Sequence, residues 1–342
     1  MGNTAVIVCP GRGSYTKAEL GYLARHHSGA AVLGAFEAIR AAEGQEALAV
    51  LDGAERYSVA RHARGDNAAA LIHACAFCDF GALAGDVEVL AVTGNSMGWY
   101  TALACGGVLS PAEAFRLANT MGTLMHRGGA GGQVVYPVTG ADWRPDAARR
   151  AELMALVARI GAEPGQALGL SIDLGGLVVL AGDEAGLAAF EAAVPVLEGR
   201  YPMRLGLHAA FHTPLVAPVA EEGRAALADL RPGQPLVPLI DGRGAIWWPG
   251  ASDPAALWDY TLGHQVVAPY DFARAIAVAA REFAPDLFIL LGPGASLGGA
   301  VAQSLVAAGW RGMAGKADFE AEQAARGLIA AMGRADQRAG VV

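Results

Sequence analysis

A largely apolar run, Val87–Thr93, leads straight into Gly94-Asn95-Ser96-Met97-Gly98 and then into Trp99–Ala104, which contains no helix breaker. Few folds accommodate that order. Glycines two residues before and after a serine let a strand turn sharply into a helix and leave the hydroxyl exposed at the bend. The same turn places the amide of Met97 at a helix N-terminus, where partial positive charge favours an oxyanion. The pattern therefore predicts an α/β sheet carrying a nucleophilic serine, Ser96. The rest of the chain agrees: Thr4–Cys9, Leu177–Ala181, Met203–His208, Pro238–Asp241 and Leu287–Leu291 read as buried strands. Between them Ala31–Ala42, Asn67–Leu83, Ala147–Ile160 and Ala255–Leu262 have helical period. Fully apolar strands alternating with helices imply a mostly parallel sheet covered on both faces.

With 342 residues the chain exceeds one average domain, and a glycine-rich stretch, Gly128–Gly132, suggests where it divides. Beyond it, Val134–Val138, Arg144–Gly161, Leu177–Ala181 and Glu184–Pro195 alternate as strand and helix. We expect a large α/β domain from 1–132 and 203–342, with a small α+β insert at 133–202.

Composition excludes several functions. Hydrophobic residues are 54% and charged residues 17%, against a usual charged share of about 25%, so a sizeable core is available. Net charge is −8 with only two lysines, Lys17 and Lys316, and the arginines are dispersed. Nucleic-acid binding needs a basic stripe that is absent. Two charge-free runs, Val89–Ala112 and Leu287–Trp310, reach membrane-spanning length, but glycine turns interrupt both. We read each as strand, turn and helix, expect no membrane segment, and find no signal-peptide pattern at Met1–Val8. Cys9, Cys75, Cys78 and Cys105 sit in apolar surroundings, as packed thiols of a reduced, cytoplasmic protein do. No His, Cys or Asp group has metal-ligand spacing, so no metal is expected.

Serine needs a base. Of eight histidines, His212 stands apart: it lies in Ala210-Phe211-His212-Thr213-Pro214, after a strand and before a Thr-Pro helix start. That junction gives access to the crevice at the strands' C-terminal edge.

Pro10-Gly11-Arg12-Gly13-Ser14, the serine turn with Trp99-Tyr100-Thr101, the His212 segment and Gly292-Pro293-Gly294 occur in that order, with Ser96 and His212 116 residues apart. Together they resemble the malonyl-CoA:acyl-carrier-protein transacylase family, which includes the acyltransferase domains of polyketide synthases. The resemblance implies a hydrolase-like sheet with a ferredoxin-like insert. It further implies attack of Ser96 on an acyl-CoA, with His212 as base, and transfer to the phosphopantetheine thiol of an acyl carrier protein. No bound cofactor is implied; acyl-CoA is a substrate. The second oxyanion amide would be that of Arg12, and the histidine-orienting position would fall at about Asp271.

Departures from the family pattern are concentrated in the pocket. The family's carboxylate-gripping arginine corresponds to Met121, which shares a helix face with Leu117 and Met125, whereas Arg116 and Arg127 lie off it. Arg12 and Tyr15 replace glutamines of the first loop, Asn95 a histidine, Trp99 a glutamate, and Leu177 a pocket glutamine. Phe211 matches the form associated with small, unbranched units. We therefore expect Met121, Phe211, Leu177 and Trp99 in an acyl pocket for a neutral or atypical unit. Arg12 is either a relocated cation, for an acyl carboxylate or the carrier's phosphate, or a solvated loop residue. A hydrolase that clears acyl groups from carriers and an inactive carrier-binding protein are the competing readings.

Overall fold

The computed structural model describes residues 3–342; the first two residues of the expected large domain lie outside it. Two sheets organise the chain. Strands β1 (Thr4–Cys9), β2 (Glu88–Gly94), β7 (Leu239–Ile240), β8 (Ile246–Trp247), β10 (Leu287–Leu290) and β11 (Ile329–Ala331) form a six-stranded sheet in the order β11-β10-β1-β2-β7-β8. Every pairing in it is parallel except β7–β8. Ala5–Cys9 is fully buried, as a central strand covered on both faces must be. Covering helices include α1 (Gly65–Gly81), α2 (Gly98–Cys105) and α3 (Pro111–Gly128). Helix α3 begins with the capping box its sequence announces: Ser110 Oγ accepts from the Glu113 amide, and the Glu113 carboxylate accepts from the Ser110 amide.

The second sheet contains β3 (Gly132–Pro137), β4 (Leu168–Asp173), β5 (Leu177–Gly182) and β6 (Met203–Leu205), with β9 (Tyr270–Asp271) added at one edge. Helices α4 (Ala147–Gly161) and α5 (Glu184–Ala193) complete a β-α-β-β-α-β order. The strand order β6-β3-β5-β4 is that of a ferredoxin-like unit. The structure adds one strand to those read in the sequence and shortens another. Leu168–Asp173 is a strand, although glycine and serine dilute its apolar pattern. The strand read at Met203–His208 stops at Leu205 and pairs with β3, so the small sheet continues past residue 202. Helix α6 (Phe272–Phe283) follows β9, and α7 (Gly298–Ala307) follows β10 and the Gly292-Pro293-Gly294 turn.

Both charge-free runs fold as strand, turn and helix, and no helix of the described residues is long and apolar enough to cross a membrane. All four cysteines are buried and unpaired.

Candidate functional site

Strand β2 ends where two glycines permit contacts that no side chain allows. A Cβ on Gly94 would lie 2.3 Å from the carbonyl carbon of Gly98, and a Cβ on Gly98 would lie 2.2 Å from the carbonyl oxygen of Cys9. Between them Ser96 adopts φ 55°, a left-handed conformation that a non-glycine residue holds only under constraint. This is the strained turn expected of a nucleophilic serine. The Gly98 amide returns to Asn95 O and the Trp99 amide to Ser96 O. That leaves the Met97 amide at the start of α2, among the described residues, with no backbone acceptor. The loop after β1 closes over the turn, where a Cβ on Gly11 would lie 2.7 Å from Asn95 O. Among the described residues the Arg12 amide has no backbone acceptor either.

His212 reaches this turn from the other side. Ser96 Oγ donates to His212 Nε2 at 2.7 Å, and His212 Nδ1 donates to the carbonyl oxygen of Gln265 at 2.6 Å. The carbonyl acceptor fixes the tautomer that leaves Nε2 free to take a proton. The His212 backbone is also left-handed, φ 59°, and its amide donates to Val266 O at 3.0 Å. Its neighbour Phe211 is held through its carbonyl, which accepts from Ser171 Oγ, itself bonded by Gln133 Nε2. Thr213 caps the following turn as its sequence suggests.

The structure corrects the expected orienting residue. Asp271 caps α6, its carboxylate accepting from the Arg274 amide at 2.8 Å, and the Nδ1 partner is Gln265, six residues earlier. Burial and the nearby Asp173 carboxylate raise the Asp271 pKa. Gln265 does more than offer its carbonyl: Nε2 donates to Ser96 O at 3.0 Å, and Oε1 accepts from Tyr100 OH at 3.2 Å.

Burial lowers the pKa of His212 to about 4, against the raising effect of the Gln265 carbonyl and with a smaller lowering by His264. A base acts in its neutral form, so lowering pH through this value removes it. Reaction of Ser96 with a neutral fluorophosphonate should therefore be flat from about pH 5.5 to 8 and fall only near pH 4, without the shoulder near 6.5 of an ordinary histidine. Asp271→Asn should leave both the rate and this profile within about twofold, since asparagine caps as well as aspartate. Timed labelling across pH checks both; an inflection near 6.5 would refute the first.

A pocket opens beside the pair, lined by Ala69, Met97, Tyr100, Met121, Gly122, Met125, Phe211, Gln265 and Val266, together with Arg12. Met121 and Phe211 thus lie where the sequence points. Trp99 and Leu177 do not. Trp99 is fully buried behind the turn, its indole N–H donating to Thr261 Oγ1 at 2.9 Å and its ring edge-on to Tyr260. Leu177 opens β5 opposite Pro137 in the small sheet. Arg12 is no solvated loop residue: its Nη2 donates to the Ala63 carbonyl at 2.7 Å and to the Leu207 carbonyl at 3.0 Å. Burial lowers its pKa to about 10, partly offset by Asp66, so it remains a cation at neutral pH.

No protein-family model matches the chain. Among curated relatives it is 29% identical over 203 residues to a phenolphthiocerol/phthiocerol polyketide synthase of Mycobacterium tuberculosis, covering 59% of this chain and 10% of the synthase. It is 26% identical over 211 residues to the malonyl CoA-acyl carrier protein transacylase of Salmonella typhimurium, covering 61% of this chain and 63% of the relative. The chain thus spans about a tenth of the synthase it matches. Among solved structures it superposes on the acyl-carrier-protein S-malonyltransferase of Burkholderia pseudomallei with TM-score 0.74 at 22% identity, over 99% of this chain and 98% of that one. It also superposes on a malonyl-transacylase solved in complex with its type II polyketide synthase acyl-carrier protein, with TM-score 0.72 at 19% identity, over 98% and 97% of the two chains. The fold is that of the malonyl-CoA:acyl-carrier-protein transacylase structures over nearly the whole chain.

Proposed function

We propose that this chain is an acyltransferase that moves an acyl group from coenzyme A to the phosphopantetheine thiol of an acyl carrier protein through an acyl-Ser96 ester. The observation that carries the reading is the hydrogen-bonded sequence Ser96 Oγ to His212 Nε2, His212 Nδ1 to Gln265 O. In the first half, Ser96 Oγ attacks the thioester carbonyl and its proton passes to Nε2. The carbonyl oxygen takes negative charge in front of the Met97 and Arg12 amides. Such donors contribute several kcal/mol to lowering a barrier of this kind. Collapse breaks the C–S bond, and the imidazolium returns its proton to the departing coenzyme A thiolate. In the second half the carrier thiol gives its proton to His212 and attacks the ester, and Ser96 Oγ is reprotonated as it leaves. Acyl-CoA enters as a substrate, and the scheme uses no resident cofactor or metal.

The acyl unit is neutral in this proposal. Helix α3 presents Met121 and Met125 to the cavity, flanked by Ala69 and Val266. A carboxylate at the Met121 end would be desolvated without a partner, which costs several kcal/mol. Arg12, the cation of the cavity, has its Nη2 engaged by two carbonyls.

Incubation with acetyl-, propionyl-, malonyl- and methylmalonyl-CoA, followed by intact-mass measurement, tests the reading. The expected result is a stoichiometric adduct with the neutral donors, absent in Ser96→Ala and discharged by a holo carrier protein. Free coenzyme A without an adduct would instead show hydrolysis, and malonylation as fast as acetylation would overturn the neutral unit.

A further inference from the structure

The segment Gly206–His212 has no regular structure, yet it must place the catalytic imidazole to within a fraction of an ångström. It leaves the small sheet after β6 and ends at the Pro214 turn, and two of its non-glycine residues, Leu207 and His212, are left-handed at φ 58° and 59°. Such conformations are costly and persist only where contacts over-determine them. The Ala210 amide donates to Ala130 O, the His212 amide to Val266 O, and Phe211 O accepts from Ser171. None of these reaches the loop that would supply the second oxyanion amide.

Arg12 does. We infer that Arg12 is a positioning residue whose side chain ties the oxyanion loop to the segment carrying the catalytic base. One nitrogen, Nη2, bridges the Ala63 carbonyl of the large domain and the Leu207 carbonyl at the start of the segment. The guanidinium carbon stands 5.4 Å from the centre of the Phe211 ring, one residue from His212. Its own amide has no backbone acceptor among the described residues, and its neighbour Gly11 packs against Asn95 O of the serine turn; in the acyl-Ser96 reading one residue then couples the oxyanion donor to the segment that holds the base. No carboxylate contacts the guanidinium among the described residues: Asp66, which acts on it through space, is paired with Arg64. Its Nε is buried without a partner, so part of the fork is held in place by packing alone. Lysine reproduces the bridge only in part: its ammonium has donors enough for two carbonyls, but it sits on a shorter stem and lacks the planar guanidinium that packs near the Phe211 ring.

The inference rests on the acyl-Ser96 reading, and its test separates the two. Full-length wild type, Arg12→Lys and Arg12→Ala are compared for Ser96 labelling by a neutral fluorophosphonate, and for acylation by acetyl- and malonyl-CoA. Arg12→Ala should lose about 10- to 100-fold in labelling and in acetyl transfer alike, as a misplacement near 1 Å does. The loss should fall on kcat with KM within about twofold, Arg12→Lys should regain only part of it, and added guanidinium should restore part of the alanine variant's rate. Unchanged labelling in folded Arg12→Ala would overturn the inference. So would a loss confined to malonyl-CoA, which would make Arg12 a carboxylate clamp. If wild type accepts no acyl-CoA while labelling still depends on Arg12, the positioning role stands and the acyl-transfer reading fails. Should the alanine variant not fold, Arg12→Gln and Arg12→Lys carry the same comparison.

Discussion

His212→Ala should slow acylation of Ser96 by about 10³- to 10⁴-fold while leaving the protein folded, the upper part of the range that a positioned general base contributes. The imidazole is buried, yet its two nitrogens make one bond each, to Ser96 Oγ and to Gln265 O. Its removal therefore strands no charge; it leaves one backbone carbonyl short of a donor, which costs about 1–3 kcal/mol of stability. The rate loss is the larger effect, because Ser96 would then have to lose its proton unaided. The residual rate should come from the Met97 and Arg12 amides and from binding. Stopped-flow or quench measurement of adduct formation, with thermal unfolding as control, decides the point. A loss below tenfold in a folded variant would mean that Nε2 is not the proton acceptor, whatever the 2.7 Å contact suggests.

What the sequence reveals of this site, and what it hides, follows from how each residue acts. Ser96 is legible because its role needs a backbone shape, and the glycines at 94 and 98 write that shape into the chain. His212 is legible because a side chain that titrates near neutrality must be histidine, and its Thr-Pro successor marks a helix start. Gln265 is not, because the orienting group is a carbonyl oxygen that any residue supplies. Its position is set by a π-helical turn at Tyr260–His264, which runs past the end of the helical period read at Ala255–Leu262. The position that the resemblance implies, at about Asp271, lies six residues past the group that acts, and Asp271 caps α6 instead. The place of Trp99 just after the serine points to the pocket, but an indole with a buried hydroxyl partner at Thr261 is held in the core instead. Arg12 shows the limit from the other direction. Its charge is visible in the sequence, whereas its anchors, Ala63 and Leu207, are distant carbonyls brought together only by the fold.

Met121→Arg should convert the selectivity of the pocket. Helix α3 is fixed against α1 so closely that a Cβ on Gly122 would lie 2.5 Å from the Ala69 Cβ, so the helix face cannot rotate to hide a new side chain. Met121 is 1% exposed and borders the same cavity as Ser96. An arginine there places its guanidinium at the end of the cavity away from the serine, without a protein counter-ion. An unpartnered buried cation costs several kcal/mol, which a substrate carboxylate would offset. If the pair recovers about 3 kcal/mol in the acylation transition state, the ratio of malonyl to acetyl transfer should rise by about 10²-fold, at about 1.36 kcal/mol for each factor of ten. The free variant should melt lower than wild type, since the longer side chain also crowds Gly223, where a Cβ would lie 2.5 Å from the Met121 sulfur. Malonyl-CoA should restore part of that loss and acetyl-CoA should not. Met121→Gln, which adds polarity without charge, should move the ratio little. A folded Met121→Arg with an unchanged ratio would show that the acyl chain does not extend toward α3. The apolar lining of that helix would then have no bearing on which acyl group the enzyme accepts.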